Sequence, residues 1–250
     1  MLRSVTPEAL DALSWDDPSA ERSRADLQRI HKVMGSSAVT RSALQKMKVR
    51  AATNRPLRVL ELGAGDGSLM LKVAQRLSPM WPSVQLTLLD RVPVVSRSTI
   101  QSFAALGWTA TCRKADVLDW ARPLRGELPQ GVASPSQFDV IVAHLFLHHF
   151  QGDELRAVLS AAAQRGNHFF ACEPRRSPLA LAASHLVGAL GANSITRSDA
   201  VLSVKAGFRD MELSRAWGEV STGWRAREYQ AGLFSHCFAA ERRTAQKHQR

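Results

Sequence analysis

No apolar run in the 250-residue chain approaches the roughly 18 residues needed to span a bilayer. The N-terminus carries polar and acidic residues where a secretory leader would have its apolar core, so a chain starting near Met1 is expected. Cysteine is scarce. Cys112, Cys172 and Cys237 stand far apart with no CxxC and no Cys/His spacing, which points away from a disulfide framework or a zinc site and toward a reducing, cytoplasmic setting. Aromatic residues are not interleaved with the basic ones, so the formal charge of +11 reads as a solvated basic surface, and a nucleic-acid track is not expected. No internal repeat or low-complexity run is visible apart from a polar, basic stretch at the end.

What is present is enough apolar residue, 45%, for one substantial core. Three regions are expected: a helical N-terminal cap over residues 1–54, an α/β domain over 55–240, and a disordered basic tail over 241–250. Residues 1 to about 20 look loosely structured. Helical patterns follow at Ala25–Gly35 and Ser42–Ala52. Short apolar segments at Arg58–Leu62, Val84–Asp90, Trp108–Arg113, Phe138–Ala143 and Asn167–Cys172 then alternate with helical patterns at Ser68–Leu77, Val95–Leu106 and Asp153–Gln164. Such alternation predicts a mostly parallel sheet with helices on both faces. The Pro- and Gly-broken stretch Arg122–Gln137 reads as a loop over a sheet edge. Pro178–Leu190 reads as a buried or cavity-covering helix, followed by a polar loop at Gly191–Asp199. Met211–Ala216 and Gly232–Ala239 read as an antiparallel edge hairpin.

The strongest local signal is Glu61-Leu62-Gly63-Ala64-Gly65-Asp66-Gly67, at the end of the first strand and the start of a helix. Glycines at alternate positions let the backbone turn under a ligand and approach it closely. A carboxylate beneath the loop disfavours the anionic pyrophosphate of a dinucleotide and favours a ligand with positive charge. A nicotinamide enzyme would also want GxGxxG, whereas Ser68 stands where its third glycine would be. Asp90 ends the second strand, where an acid can hold both ribose hydroxyls, and Asp116 follows the third, beside Val117.

With the glycine loop, Asp90 and Asp116 in this order, the chain resembles the class I S-adenosylmethionine (SAM)-dependent methyltransferases over about Arg58 to Ala240. The resemblance implies a seven-stranded, Rossmann-like fold whose seventh strand is antiparallel beside the fifth. It implies a cofactor set of Glu61, Gly63, Gly65, Gly67, Asp90, Arg91, Asp116, Val117 and His144. In the family the glycine loop supports the methionyl part, the second acid the ribose and the third the adenine.

Three histidines, His144, His148 and His149, fall just after the fourth strand, where methyl transfer to a hydroxyl needs a group that can take a proton. Leu147-His148-His149-Phe150 resembles the Leu-His-Asp-Trp motif of small-molecule O-methyltransferases, which implies His148 as general base and Glu173, after the fifth strand, as its orienting acid. His149 departs from that motif, a variant found both in C-methyltransferases of quinones and in methyltransferases whose histidine is structural, so O- and C-methylation stay open and so does a capping or pocket-floor role for the His148–His149 pair. His185 reads as a pocket or core histidine, and Asp139 as structural. No Asn/Asp-Pro-Pro-Tyr or Phe turn and no cysteine follow the fourth strand, which speaks against nucleobase methylation. No acidic cluster suited to a divalent ion stands near the acceptor, so no metal is expected. The expected activity is methylation of a small phenolic, quinone or polyketide-like acceptor, with oligomeric state open. From another class, a basic RNA- or protein-binding module with a vestigial cofactor site is the alternative.

Overall fold

The computed structural model describes residues 1–47, 49, 54–92, 94–122 and 137–243. Seven strands form one sheet: β1 (Leu57–Leu62), β2 (Val84–Asp90), β3 (Trp108–Lys114), β4 (Phe138–His144), β5 (Gly166–Pro174), β6 (Trp224–Ala231) and β7 (Ser235–Arg242). Their order is β3-β2-β1-β4-β5-β7-β6, with β7 antiparallel to both of its neighbours and the others parallel. The expected seven-stranded, mostly parallel sheet is therefore present.

The central strands are apolar on both faces because both faces are covered by helices. Val59, Val140, Val142 and Phe170 enter one core with helices α3 (Ser36–Lys46) and α4 (Ser68–Leu77). Leu60, Leu62, Ile141 and Phe169 enter the other, with α6 (Val117–Ala121), α7 (Gly152–Arg165) and α10 (Glu212–Val220). In α4, Leu69, Met70, Val73, Ala74 and Leu77 are buried at helical spacing, the stripe that the sequence pattern announces. α5 (Arg97–Ala104) lies within the expected Val95–Leu106. Strand order reverses between β1 and β4, so the crevice at their carboxyl ends is where a ligand is expected in such a sheet. Glu61 and His144 end these two strands.

Several expectations are corrected. Met211–Ala216 is not a strand but the start of α10: Leu213 and Trp217, one turn apart, are the residues it buries. The hairpin is formed instead by β6 and β7, with Gly232 (φ 65°) in the turn; the polar sequence of β6, half of it facing solvent, hides its strand character. Gly191–Asp199 is mostly the first part of α9 (Ser194–Ala206), capped by the Asn193 side chain on Thr196 N. Pro178–Leu190 is α8 (Pro178–His185) followed by a 3-10 turn, with Leu179, Leu186 and Leu190 exposed. His185 is exposed, neither core nor cavity wall.

The N-terminal helices run over Pro18–Met34 (α2) and Ser36–Lys46 (α3), earlier than their apolar patterns suggest. Asp17 caps α2 on Ser19 N with Pro18 at the first position, and Gly35 (φ 66°) ends it. Residues 1–17 are not loose but strapped to the domain. Arg3 Nε donates to Ala206 O at 2.7 Å, Ser4 N to Lys205 O at 3.2 Å, and the short helix α1 (Ala9–Ala12) is held by Asp199, which accepts from Ala9 N and Leu10 N at 2.9 and 3.0 Å. The expected edge loop falls almost wholly on 123–136, outside the described residues, as do 244–250 of the expected tail; Glu241 and Arg242 belong to β7.

Candidate active site

The loop after β1 turns through Gly63 (φ 67°) and Gly65 (φ 54°). A methyl group on Gly63 would lie 2.1 Å from the Phe146 ring, whereas on Gly65 it would meet nothing within 4 Å, because that glycine faces open space on the cavity wall. Gly67 caps α4 behind them. Under the loop, Glu61 is 2% exposed; its Oε1 lies 3.1 Å from His144 Nδ1, and its Oε2 is buried with no partner among the described residues. Thr40 Oγ1, which donates to Ser36 O, lies 2.7 Å from His144 Nε2 and so accepts from it. Burial pushes the Glu61 carboxyl up, opposed by His144.

These features fit the methionyl end of SAM. An orphaned buried carboxylate oxygen wants a cationic donor such as an α-ammonium group, and the glycine loop leaves room for it. Asp90 anchors the same loop, accepting from Gly65 N at 2.8 Å and Val92 N at 2.9 Å, which leaves lone pairs for ribose hydroxyls. The other sequence candidates stand differently. Arg91 pairs with Asp11 of α1 at 2.7 Å, tying the N-terminal strap to the sheet edge. Asp116 is exposed and caps α6 through Leu118 N at 2.7 Å, and Val117 is buried in the core. Asp90, Asp116 and Val117 do not line the cavity that Glu61, Gly63, Gly65 and His144 share.

The same cavity, about 470 Å³, reaches the histidine cluster and is walled by Leu27, Ile30 and Met34 of α2, Ala183 of α8 and Val187 and Leu190 just beyond it. This is a volume suited to small ligands. β4 gives way at Leu145, which has φ 46°, to a 3-10 turn Leu147–His149. Glu173, wholly buried on β5, pins that turn: it accepts from Phe146 N (3.1 Å), Leu147 N (2.9 Å), His148 N (3.3 Å) and His148 Nδ1 (2.8 Å). With Nδ1–H committed to Glu173, His148 Nε2 points into the cavity, the orientation a base or ligand requires.

Glu8 meets it there. Its Oε1 lies 3.5 Å from His148 Nε2 and accepts from the Ser203 hydroxyl of α9. Burial alone would lower the His148 pKa, but the hydrogen bonds and charges of Glu173 and Glu8 raise it to about 9. His149 stacks beside it with ring centres 4.3 Å apart and is pushed down by burial and by the neighbouring imidazole. No pattern in the sequence marks Glu8, Thr40, Asp199 or Ser203, which reach the site from chain-distant elements.

Residues 60–168 match the family model of a methyltransferase domain. No curated protein matches the chain. Among solved structures, an O-methyltransferase family protein from Burkholderia thailandensis is similar at a TM-score of 0.57 and 16% identity, over 94% of this chain and 64% of that one. Magnesium protoporphyrin IX methyltransferase from Synechocystis, with S-adenosylhomocysteine bound, gives 0.54 and 15% over 91% and 95%. The plantazolicin methyltransferase, also with S-adenosylhomocysteine, gives 0.58 and 15% over 91% and 92%. At such identities these neighbours speak for the fold. The chain spans about two thirds of the first and nearly all of the other two. Over residues 60–168 the chain matches a methyltransferase domain, and its strand order and glycine loop have the arrangement of the class I SAM-dependent methyltransferase fold.

Proposed function

We propose that the enzyme transfers the methyl group to a hydroxyl of a small phenolic, quinone or polyketide-like acceptor, with His148 taking the hydroxyl proton at Nε2. The observation that carries this reading is the His148–Glu173 pair, which fixes the imidazole with Nε2 open to an apolar-walled cavity that also reaches Glu61 and the glycine loop. When bound, SAM supplies an electrophilic methyl group. The chain's own part is to align the acceptor oxygen, to exclude water with the apolar faces of α2 and α8, and to receive the proton. Glu173 orients the imidazole and stabilises it once charged.

The test pairs two measurements on His148→Ala. Calorimetry with S-adenosylhomocysteine is expected to give wild-type affinity, while labelled methyl transfer across a phenol panel falls by roughly 10²–10⁴-fold, the range of acid–base contributions. Wild-type turnover in the variant would remove His148 as base.

A second reading has its own support. An imidazole raised to about 9 is cationic at neutral pH and suits the stabilisation of a phenolate or enolate during C-methylation. A labelled product that keeps its methyl group through ether-cleaving conditions favours that reaction; loss of the label favours the ether.

A further inference from the structure

We infer that Glu8, His148 and His149 form a site for a borderline divalent cation, with Zn²⁺ the best match, at the acceptor end of the cavity. One ligand atom from each residue lies within 4.8 Å of the others, and all three residues line the cavity. Two imidazole nitrogens and one carboxylate are the donor set of open, three-ligand zinc sites, in which the fourth position is left to water or substrate. The arrangement behind them fits equally. His148 Nδ1 is bound to the buried Glu173 carboxylate at 2.8 Å, the carboxylate–histidine relay that fixes the tautomer of a metal ligand and makes it more basic.

The 3.5 Å between His148 Nε2 and Glu8 Oε1 is long for a hydrogen bond, yet close to the roughly 3.3 Å that separates two ligands about 2 Å from one tetrahedral ion. His149, a quarter exposed, has room to close the remaining gap, and Asp11 Oδ2 stands 3.5 Å from its Nδ1. Glu8, Asp11 and Glu173 put three carboxylates around the two imidazoles; Arg91 on Asp11 and Arg3, donating to Phe150 O, are the nearby cations. A bound cation takes the place of the proton on His148 Nε2. Once bound, it holds the lone pair of His148 Nε2 and the acceptor position together, so it blocks proton transfer there and competes with the acceptor. The site rests on donor geometry and not on the methyl-transfer reading.

Titration of Zn²⁺ into the tag-free, full-length Cys112→Ser protein, which lacks the exposed thiol, is expected to show one saturable site by calorimetry. Co²⁺ is expected to give the ligand-field absorption of a four- or five-coordinate nitrogen/oxygen centre. Glu8→Gln and His149→Ala, both at partly exposed positions, should each weaken Zn²⁺ at least tenfold with unchanged affinity for S-adenosylhomocysteine, and His185→Ala should change neither. Absence of saturable binding at millimolar Zn²⁺, or binding that neither cluster variant weakens, overturns the proposal. Because binding is read without turnover, a failure here is separate from a failure of methyl transfer.

Discussion

A carboxylate from the N-terminus adds to the pull of Glu173 on the charge of His148, the proposed base. Between Glu173 and Glu8, His148 is held protonated up to about pH 9, so a role as base requires that proton to leave first. With the cofactor saturating, kcat/KM is expected to rise with pH toward about 9, and Glu8→Gln should move that rise to lower pH by removing one of the two charges that lift it. A pH–rate profile unchanged in Glu8→Gln would show that Glu8 leaves His148 when the acceptor binds. The same shift acts on stability. A histidine raised above its ordinary 6.5 stabilises the folded state fully below that pH and loses this contribution as pH climbs through about 9. The difference in Tm between the wild type and His148→Gln should therefore shrink over that interval.

Among elements, α10 shows how a sequence pattern can mislead. Met211–Ala216 has the alternating look of a strand, yet Leu213 and Trp217 pack together on Phe238 and Phe169 as one helical face. The helix start is fixed from outside by Glu228 of β6, which accepts from Leu213 N at 3.1 Å and Ser214 N at 2.7 Å and pairs with buried His236 of β7 at 2.6 Å. Breaking a buried pair from one side typically costs about 3–5 kcal/mol. Glu228→Ala is expected to lose stability on that order in a denaturant titration while binding of S-adenosylhomocysteine persists below the transition. A loss under about 1 kcal/mol would assign the position of α10 to apolar packing alone. The strands β1, β4 and β5 are legible because burial on both faces demands near-continuous apolar residues; β6, on the sheet edge with one face in water, makes no such demand.

Across the whole molecule, the histidine end of the cavity is bordered by the first dozen residues. Arg3, Ser4, Ala9 and Leu10 bind α9 and the loop after it, Arg3 also holds Phe150 O, and Arg176 donates to Met1 O. Deleting residues 1–12 removes Glu8, Asp11 and the strap but no part of the sheet or the glycine loop. Calorimetry of that truncated chain should find cofactor affinity close to wild type, and labelled transfer should show a raised acceptor KM and a lower kcat. A truncation with unaltered kinetics would make the strap a bystander. None of the described helices is long and apolar enough to cross a membrane.

The amino-acid sequence by itself determined strands β1 to β5 and β7, the glycine loop with Glu61 and Asp90, and the placing of His144, His148 and Glu173 at or just after strand ends. Each of these is a local matter: period, turn chemistry and position along one strand. Only the tertiary structure decided what those groups face. The proton on His148 is held by Glu8 as well as by Glu173, the contact at His144 depends on Thr40, and the shape of the histidine end of the cavity on Asp199, Ser203 and the strap. Those partners lie from 104 to 195 residues apart along the chain, on elements whose own patterns carry no chemistry, and electrostatic energy falls with distance in space, not with separation in sequence.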